Sequence, residues 1–172
     1  MRLVSSLLVV IGCTTDPSAT DPDTDPSSAA PVTVRVATWN IQGVGRAGSN
    51  EGDAERAVLA RIDADVVGLN EIDDGEQDRL RTLAADLGYA TVFIPADNPF
   101  GGLRNAMLVR LPGVDVGAPS SASLSSDDRA NDVTRYPVRA VVDVPGTSVD
   151  LTVVVTHWKS GFALDDRFRR TL

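Results

Sequence analysis

Apolar residues in this chain fall into short runs, several of which end abruptly in polar residues. Val32 to Trp39 alternates apolar and polar positions, which predicts a strand. Asp65 to Leu69 and Leu151 to Val155 are nearly continuous apolar runs, and such runs are typical of strands buried on both faces. We therefore expect at least three strands that lead into polar segments.

The spacing of apolar residues between these runs predicts two helices. Asn50 or Asp53 is expected to cap the first, and the second is expected over Glu76 to Leu87, with Gly88 as its C-terminal stop. The predicted apolar stripes are Ala54, Ala57, Val58 and Ile62 in the first helix and Leu80, Leu83, Ala84 and Leu87 in the second. Because strands flank each helix, the sequence indicates a mixed α/β fold.

Further strands are expected in the second half of the chain. They are Tyr89 to Ile94, Asn105 to Val109, Val138 to Val144 and Val149 to Thr156. The last two flank Pro145 to Ser148, which predicts a hairpin. Ala96 to Gly102 is expected to be a loop, and Ala118 to Asp132 is rich in Ser and Asp and is expected to be a mobile excursion.

A last helix is expected from Leu164 to Leu172. Arg167, Arg169 and Arg170 lie in its first turns and form either a solvated helix face or a contact with nucleic acid. The net charge of −8 favours the solvated face, because it argues against a general phosphate-tracking surface.

The first residues have the features of an export signal. In residues 1–13, Arg2 precedes an apolar run, and Val10-Ile-Gly-Cys13 resembles the lipobox of bacterial lipoproteins. This resemblance implies lipidation of Cys13 and an exported protein anchored to a bacterial membrane, at the cell surface or in the periplasm. The alternatives are an ordinary cleaved signal, which would give a secreted protein, and a chance apolar start.

The segment after the signal is expected to be a tether. Residues 14–31 are mostly Asp, Pro, Ser, Thr and Ala, a composition that buries too little apolar surface to order itself. Cys13 is the only cysteine, so an exported chain has no disulfide partner within it. Residues 32–172 then form the folded part, which we expect to be a partial domain.

Candidate chemistry lies at three strand exits. Asn40 follows the first strand, Asn70 and Glu71 follow the second, and His157, the only histidine, follows the run that ends at Val155. Ligand sites in open α/β sheets lie outside the carboxyl ends of the strands, so three polar exits are informative together. Taken singly, each residue also has a structural explanation in turn chemistry, capping or half-buried packing.

Four segments around these exits resemble motifs of the endonuclease/exonuclease/phosphatase superfamily. In chain order they are Arg35-Val-Ala-Thr-Trp-Asn-Ile41, Asp65-Val-Val-Gly-Leu-Asn-Glu-Ile72, Asn105-Ala-Met-Leu-Val-Arg110 and Val153-Val-Val-Thr-His-Trp-Lys-Ser-Gly161. The order is that of the family. The second segment departs from the family pattern at Asn70, where the family usually has the longer amide Gln.

The resemblance implies a four-layered α/β/β/α sandwich that hydrolyses phosphate esters with Mg²⁺, or with Mn²⁺. It makes Glu71 a metal ligand, Asn40 a positioner of phosphate and metal shell, and His157 a group that stabilises or protonates near the scissile phosphate. Mg²⁺ keeps most of its waters and is held by one or two carboxylates plus phosphate, which fits a single glutamate. Asn105 and Arg139 are further candidates for substrate binding, and each also has a structural alternative.

The resemblance leaves the substrate open among nucleic acid, a phospholipid head group and an inositol phosphate. It also implies two later motifs, Gly-Asp-x-Asn and Ser-Asp-His, which have no match in this chain. The second of these supplies the pair that activates water, so we expect weak or undetectable turnover. The alternative function is a non-catalytic remnant or binding module with the same fold. We also expect about the first half of the sandwich, with one apolar sheet face left open and a tendency to aggregate.

Overall fold

A computed structural model describes residues 32–96, 102–117 and 135–157 of the chain. Its elements are β1 (Val36–Asn40), α1 (Asn50–Ile62), β2 (Val66–Ile72), α2 (Gln77–Asp86), β3 (Thr91–Phe93), β4 (Arg104–Val109), β5 (Asp115–Gly117), β6 (Val138–Asp143) and β7 (Asp150–Val155). Within these ranges neither helix is long and apolar enough to cross a membrane. The predicted signal, tether, excursion and C-terminal helix lie outside the described residues, as does most of the loop after Ala96.

Four strands form the first sheet, in the order β1-β2-β4-β3. β1 and β2 are parallel and are joined by α1, which confirms the predicted strand-helix-strand unit, while β4 is antiparallel to both of its neighbours. Residues 66–70 of β2 are all buried, as the continuous apolar run predicted. A central strand covered on both faces needs apolar residues on both of them, and Val66, Val67 and Leu69 supply these.

The two helices pack on one face of this sheet. In α2 the predicted stripe is confirmed, since Leu80 and Ala84 are buried and the helix ends before Gly88, whose φ is +79°. In α1 the predicted stripe is wrong in part: Ala54 and Ala57 are exposed, and Leu59 is the fully buried residue.

The cap of α1 also differs from the prediction. The helix is capped by Ser49, whose side chain accepts a hydrogen bond from the backbone N–H of Gly52 at 3.1 Å. Serine is a favoured N-cap residue because its hydroxyl satisfies an N–H group that the first helical turn leaves free. The helix therefore begins at Asn50 itself, and neither Asn50 nor Asp53 is the cap.

A second sheet of three antiparallel strands, β5-β6-β7, covers the other face of the first sheet. The buried residues between the two sheets are Val66, Met107, Val109, Val138, Ala140, Val142 and Val155. A Cβ atom built on Gly68 would lie 2.5 Å from Cγ2 of Val155, so glycine allows the sheets to approach closely there. The first sheet is therefore covered on both faces, and the expectation that it leaves an apolar face open is wrong. The tendency to aggregate stays a prediction.

β7 also differs from its prediction as a strand buried on both faces. Its residues alternate, with Val155 buried and Val154 53% exposed. Because β7 belongs to the second sheet, only its inner face packs against the first one. The β6–β7 hairpin around Pro145 to Ser148 is confirmed by antiparallel pairing from Val138↔Val155 to Asp143↔Asp150.

Candidate active site

The exits of β1, β2 and β7 meet at one edge of the two sheets, where Glu71 stands at a break in β2. The register between β2 and β4 shifts between Leu69 and Ile72, and Glu71 has a φ of +66°. This left-handed backbone costs a residue with a Cβ atom about 1–3 kcal/mol and persists only where the surroundings impose it. Bulges of this kind redirect a side chain, and the Glu71 side chain here keeps 20% of its surface exposed.

His157, just beyond β7, faces Glu71 from the other sheet. Its Nε2 lies 3.5 Å from Oε1 of Glu71, and its side chain is 19% exposed. Burial lowers the pKa of His157, the charge of Arg135 lowers it further, and the carboxylate of Glu71 opposes both effects. At neutral pH the imidazole is therefore uncharged. Its buried Nδ1 has no hydrogen-bond partner in the described part of the chain.

Two buried asparagines connect the backbone segments that meet at this edge. Nδ2 of Asn70 donates to Oδ1 of Asn105 at 2.8 Å and to the carbonyl oxygen of Thr156 at 3.3 Å. Nδ2 of Asn105 donates in turn to the carbonyl oxygen of Tyr136 at 2.9 Å. The network joins the end of β2 to the start of β4, the entry to β6 and the exit of β7. These hydrogen bonds therefore fix the positions of the residues that neighbour Asn70, Asn105, Tyr136 and Thr156 in the sequence.

The hydrogen bonds of this network show whether the Asn105 amide is available to a substrate. The residue is 1% exposed, and both polar atoms of its side chain bond to other parts of the protein. The geometry favours the structural alternative for Asn105 over direct contact with a substrate. Asn70, which stands where the family usually has Gln, reaches both of its partners with its shorter side chain.

Asn40 ends β1 directly beside Asn70 in the parallel register. The next residues continue along the end of β2, where the N–H of Ile41 donates to the carbonyl of Asn70 at 3.2 Å and that of Gly43 to the carbonyl of Glu71 at 2.9 Å. Asn40 is exposed, so its amide is accessible to a ligand at the same edge as Glu71.

The carboxylate of Glu76 holds the loops that follow β1 and β2. Its Oε2 accepts hydrogen bonds from the N–H groups of Val44 at 2.8 Å and Asp73 at 3.0 Å. Arg79 donates to Oε1 of Glu76 at 2.9 Å and to the carbonyl of Val44 at 2.8 Å. Gly43, with a φ of +103°, passes so close that a Cβ atom would lie 3.2 Å from Glu76. The two loops that follow the strands of Asn40 and Glu71 are thus tied to one side chain.

Arg139 lies away from this edge. It is exposed on β6, where it pairs with Gly117 of β5 in the register, and its guanidinium forms an ion pair with Asp115 at 3.1 Å. The arginine near the candidate site is Arg135, which precedes β6 and is close enough for its charge to affect His157. Sequence reasoning missed Arg135. The signal available was its place next to Tyr136-Pro137, at the entry of a predicted strand.

The side chains at this edge could supply some, but not all, of the ligands of a hard cation such as Mg²⁺. Within the described ranges no group of three or more His, Cys, Asp and Glu side chains could hold a metal ion. Glu71 offers one partly exposed carboxylate, and the exposed Asn40 amide offers a neutral oxygen nearby. Mg²⁺ needs only one or two carboxylates when waters and phosphate complete its shell, so these residues fit part of such a site.

Comparison with known proteins gives a family and a fold. A model of the endonuclease/exonuclease/phosphatase family matches residues 37–170. No curated protein matches the sequence. The structure of a humanized D. rerio TDP2 with 14 mutations is 19% identical, with a TM-score of 0.53, over 79% of this chain and 54% of that one. Truncated Caenorhabditis elegans TDP2 is also 19% identical, with a TM-score of 0.51, over 74% of this chain and 47% of that one. The chain spans about half the length of these structures.

Proposed function

The chain belongs to the endonuclease/exonuclease/phosphatase family, and on this premise we propose that its strand-exit site serves the metal-dependent hydrolysis of phosphoric esters. The observation that carries the proposal is the meeting of Glu71 and His157, which come from different sheets and lie 3.5 Å apart. The backbone of Glu71 is held in a strained conformation at that point, and such strain concentrates at functional sites.

Glu71 and Asn40 are the residues that would hold Mg²⁺, or Mn²⁺, in this proposal. When bound, the metal would neutralise charge on the phosphoryl oxygens. The amide of Asn40 can donate to a phosphoryl oxygen without adding negative charge. The imidazole of His157 is uncharged at neutral pH because its pKa is lowered, so it stabilises the ester by a hydrogen bond more readily than it supplies a proton. The substrate class is a phosphate ester of nucleic acid, phospholipid or inositol phosphate.

The proposed architecture of the complete fold is the four-layered α/β/β/α sandwich, to which residues 32–172 would contribute about half. Three consecutive layers support it: the helices, the four-stranded sheet and the three-stranded sheet. The structural likeness to half of each TDP2 chain is consistent with the same arrangement.

The test is hydrolysis of bis-p-nitrophenyl phosphate at high protein concentration. We expect slow release of p-nitrophenol that requires Mg²⁺ or Mn²⁺ and stops when EDTA removes the metal, because a site with one metal-binding carboxylate stabilises charge but lacks an assigned base for water. Release that continues unchanged in EDTA would contradict the proposal.

A second candidate function is a binding module with this fold and no turnover. It is favoured by the absence, within the described ranges, of a group of three or more metal-binding side chains. The same assay separates the two functions. Binding of metal with no release of p-nitrophenol, even at high protein concentration, would favour the binding module.

We also propose that the protein is exported and anchored to a membrane by lipid on Cys13, with residues 14–31 as the tether. The support is the Val10-Ile-Gly-Cys13 sequence after a short apolar run. Labelling with palmitate in a bacterial host should mark the wild-type protein and leave Cys13→Ala unlabelled. Label retained by Cys13→Ala would remove the lipid-anchor proposal and leave the proposed hydrolase untouched.

A further inference from the structure

The break in β2 that carries Glu71 is a β-bulge with one extra residue. Leu69 pairs with Ala106 before the break and Ile72 pairs with Arg104 after it, so two residues of β2 lie opposite a single residue of β4. An extra residue of this kind shifts the alternation of side chains by one position. Beyond the break, Ile72 therefore faces the side opposite to the one it would face in a regular strand.

The two hydrophobic clusters of the fold show this change of side. Val67 and Leu69 belong to the cluster beneath the helices, so regular alternation would put position 71 on that side and position 72 on the side of the second sheet. Instead, Ile72 is fully buried in the cluster beneath the helices, and the carboxylate of Glu71 lies 3.5 Å from His157, which follows a strand of the second sheet. The bulge is thus what brings Glu71 to the candidate site.

Arg104 binds the loop on the far side of the bulge. Its side chain is 10% exposed, and its guanidinium forms an ion pair with Asp74, two residues beyond Ile72. Nη1 of Arg104 also donates to the carbonyl oxygen of Gly102 at 3.2 Å, and the N–H of Gly102 donates to the other oxygen of the Asp74 carboxylate at 3.2 Å. Both oxygens of one carboxylate in the loop after β2 are therefore bound by the segment that leads into β4.

The burial of Arg104 sets it apart from other arginines in ion pairs. About half of the side-chain surface is exposed in four of them, Arg35, Arg56, Arg81 and Arg139. Burial of a guanidinium has a desolvation cost that an apolar side chain of similar size would avoid. Nε of Arg104 is also buried and has no hydrogen-bond partner in the described part of the chain. The conformation that Arg104 maintains therefore explains its presence better than a contribution to stability does.

We propose that Arg104 is a positioning residue for Glu71; the part of this inference that concerns the metal rests on the proposed function. The ion pair of Arg104 with Asp74 closes the bulge beyond Ile72 and keeps the backbone of Glu71 at a φ of +66°. The carboxylate of Glu71 then stays on the side of His157. Without the ion pair, the strand relaxes towards regular alternation and the carboxylate leaves the candidate site.

The experiment is Arg104→Met in the full chain without metal, with the backbone of Glu71 followed by NMR. Methionine keeps much of the bulk of the side chain and removes its charge and its donors. The HN–Hα coupling constant and the ¹³Cα chemical shift of Glu71 report its φ, and we expect both to move from left-handed values towards those of an extended strand.

A second measurement follows Mn²⁺ binding by EPR titration. Arg104→Met should weaken it by about tenfold or more, the size of effect typical of a residue that orients a metal ligand. Arg104→Lys should retain part of the wild-type affinity, because it keeps the charge that pairs with Asp74. A residue with a purely structural role would change the midpoint of urea unfolding and leave both the Glu71 signals and the Mn²⁺ affinity of the folded protein unchanged.

Arg56→Met is the matched control. Arg56 forms a half-exposed ion pair with Asp86 between the two helices, so neither measurement should change. Asp74→Ala removes the Arg104 ion pair at its exposed partner and decides the question even if Arg104→Met does not fold. The proposal is overturned if the Glu71 signals stay at wild-type values in the folded variants, or if they move while the affinity of a Mn²⁺-binding wild type does not fall. Because the NMR measurement uses no metal, a wild type that binds no Mn²⁺ would count against the proposed function alone.

Discussion

Glu71→Gln is expected to lower metal-dependent hydrolysis about a hundredfold or more, the size typical of a lost electrostatic group at a reaction centre. It should also weaken Mn²⁺ binding, measured by EPR titration, by at least about tenfold. Glutamine keeps the shape of the side chain and removes only its charge, so the effect would report the carboxylate itself. The metal titration gives a result even if turnover is slow.

Glu51→Gln is the control for this variant, because Glu51 is exposed in the first turn of α1 and its loss should leave Mn²⁺ affinity unchanged.

Glu71→Gly adds a second readout. Glycine accepts a φ of +66° without strain, so the free energy of unfolding of this variant, measured with urea, should rise by about 1 kcal/mol. The same variant should lose its affinity for Mn²⁺. Wild-type Mn²⁺ affinity in Glu71→Gln would remove Glu71 from the metal site.

Asn105→Ala is expected to destabilise the protein by about 2–4 kcal/mol, measured by urea unfolding. The variant leaves a cavity and removes the partners of the Tyr136 carbonyl and of one Asn70 amide hydrogen. Because the same bonds fix the exits of β2 and β7, we also expect weaker Mn²⁺ and phosphate binding under conditions where the variant is folded.

Leu108→Ala separates stability from site geometry. Leu108 is fully buried beneath the helices, on the face of β4 away from the second sheet, and its truncation should cost about 2–5 kcal/mol. Its distance from the polar network should leave metal and phosphate binding of the folded protein intact. If both variants lost binding equally, the amide network would have no specific role in placing the site.

The sequence predicted the parts of the fold that depend on local patterns. The apolar run of β2 and the stripe of α2 are confirmed because each is decided by residues a few positions apart. The exposure of β7 was predicted wrongly, since a run of valines has the same pattern whether one or both faces are covered. The short strand Asp115–Gly117 was not predicted, because it forms only through pairing with β6.

In the candidate site, too, the features set by local sequence could be predicted and those set by strand pairing could not. Glu71 and His157 could be singled out by their places after apolar runs, and the structure brings them together. Which of Arg135 and Arg139 lies near the site could not be predicted from sequence, because it depends on how the strands of the second sheet pair. Asp115 lies 24 positions before Arg139, and only the β5–β6 pairing brings the two side chains together. The hydrogen bonds of Asn105 are likewise visible only in the assembled fold.

Glu76 has a consequence for the thermodynamics of ligand binding. Its carboxylate holds the loop after β1 and the loop after β2 at once, through the N–H groups of Val44 and Asp73. Loops fixed in this way lose their conformational entropy when the chain folds, so a ligand that bridges Asn40 and Glu71 meets an edge that is already ordered. Binding there should show a small entropic penalty, and the two loops should fluctuate as one body.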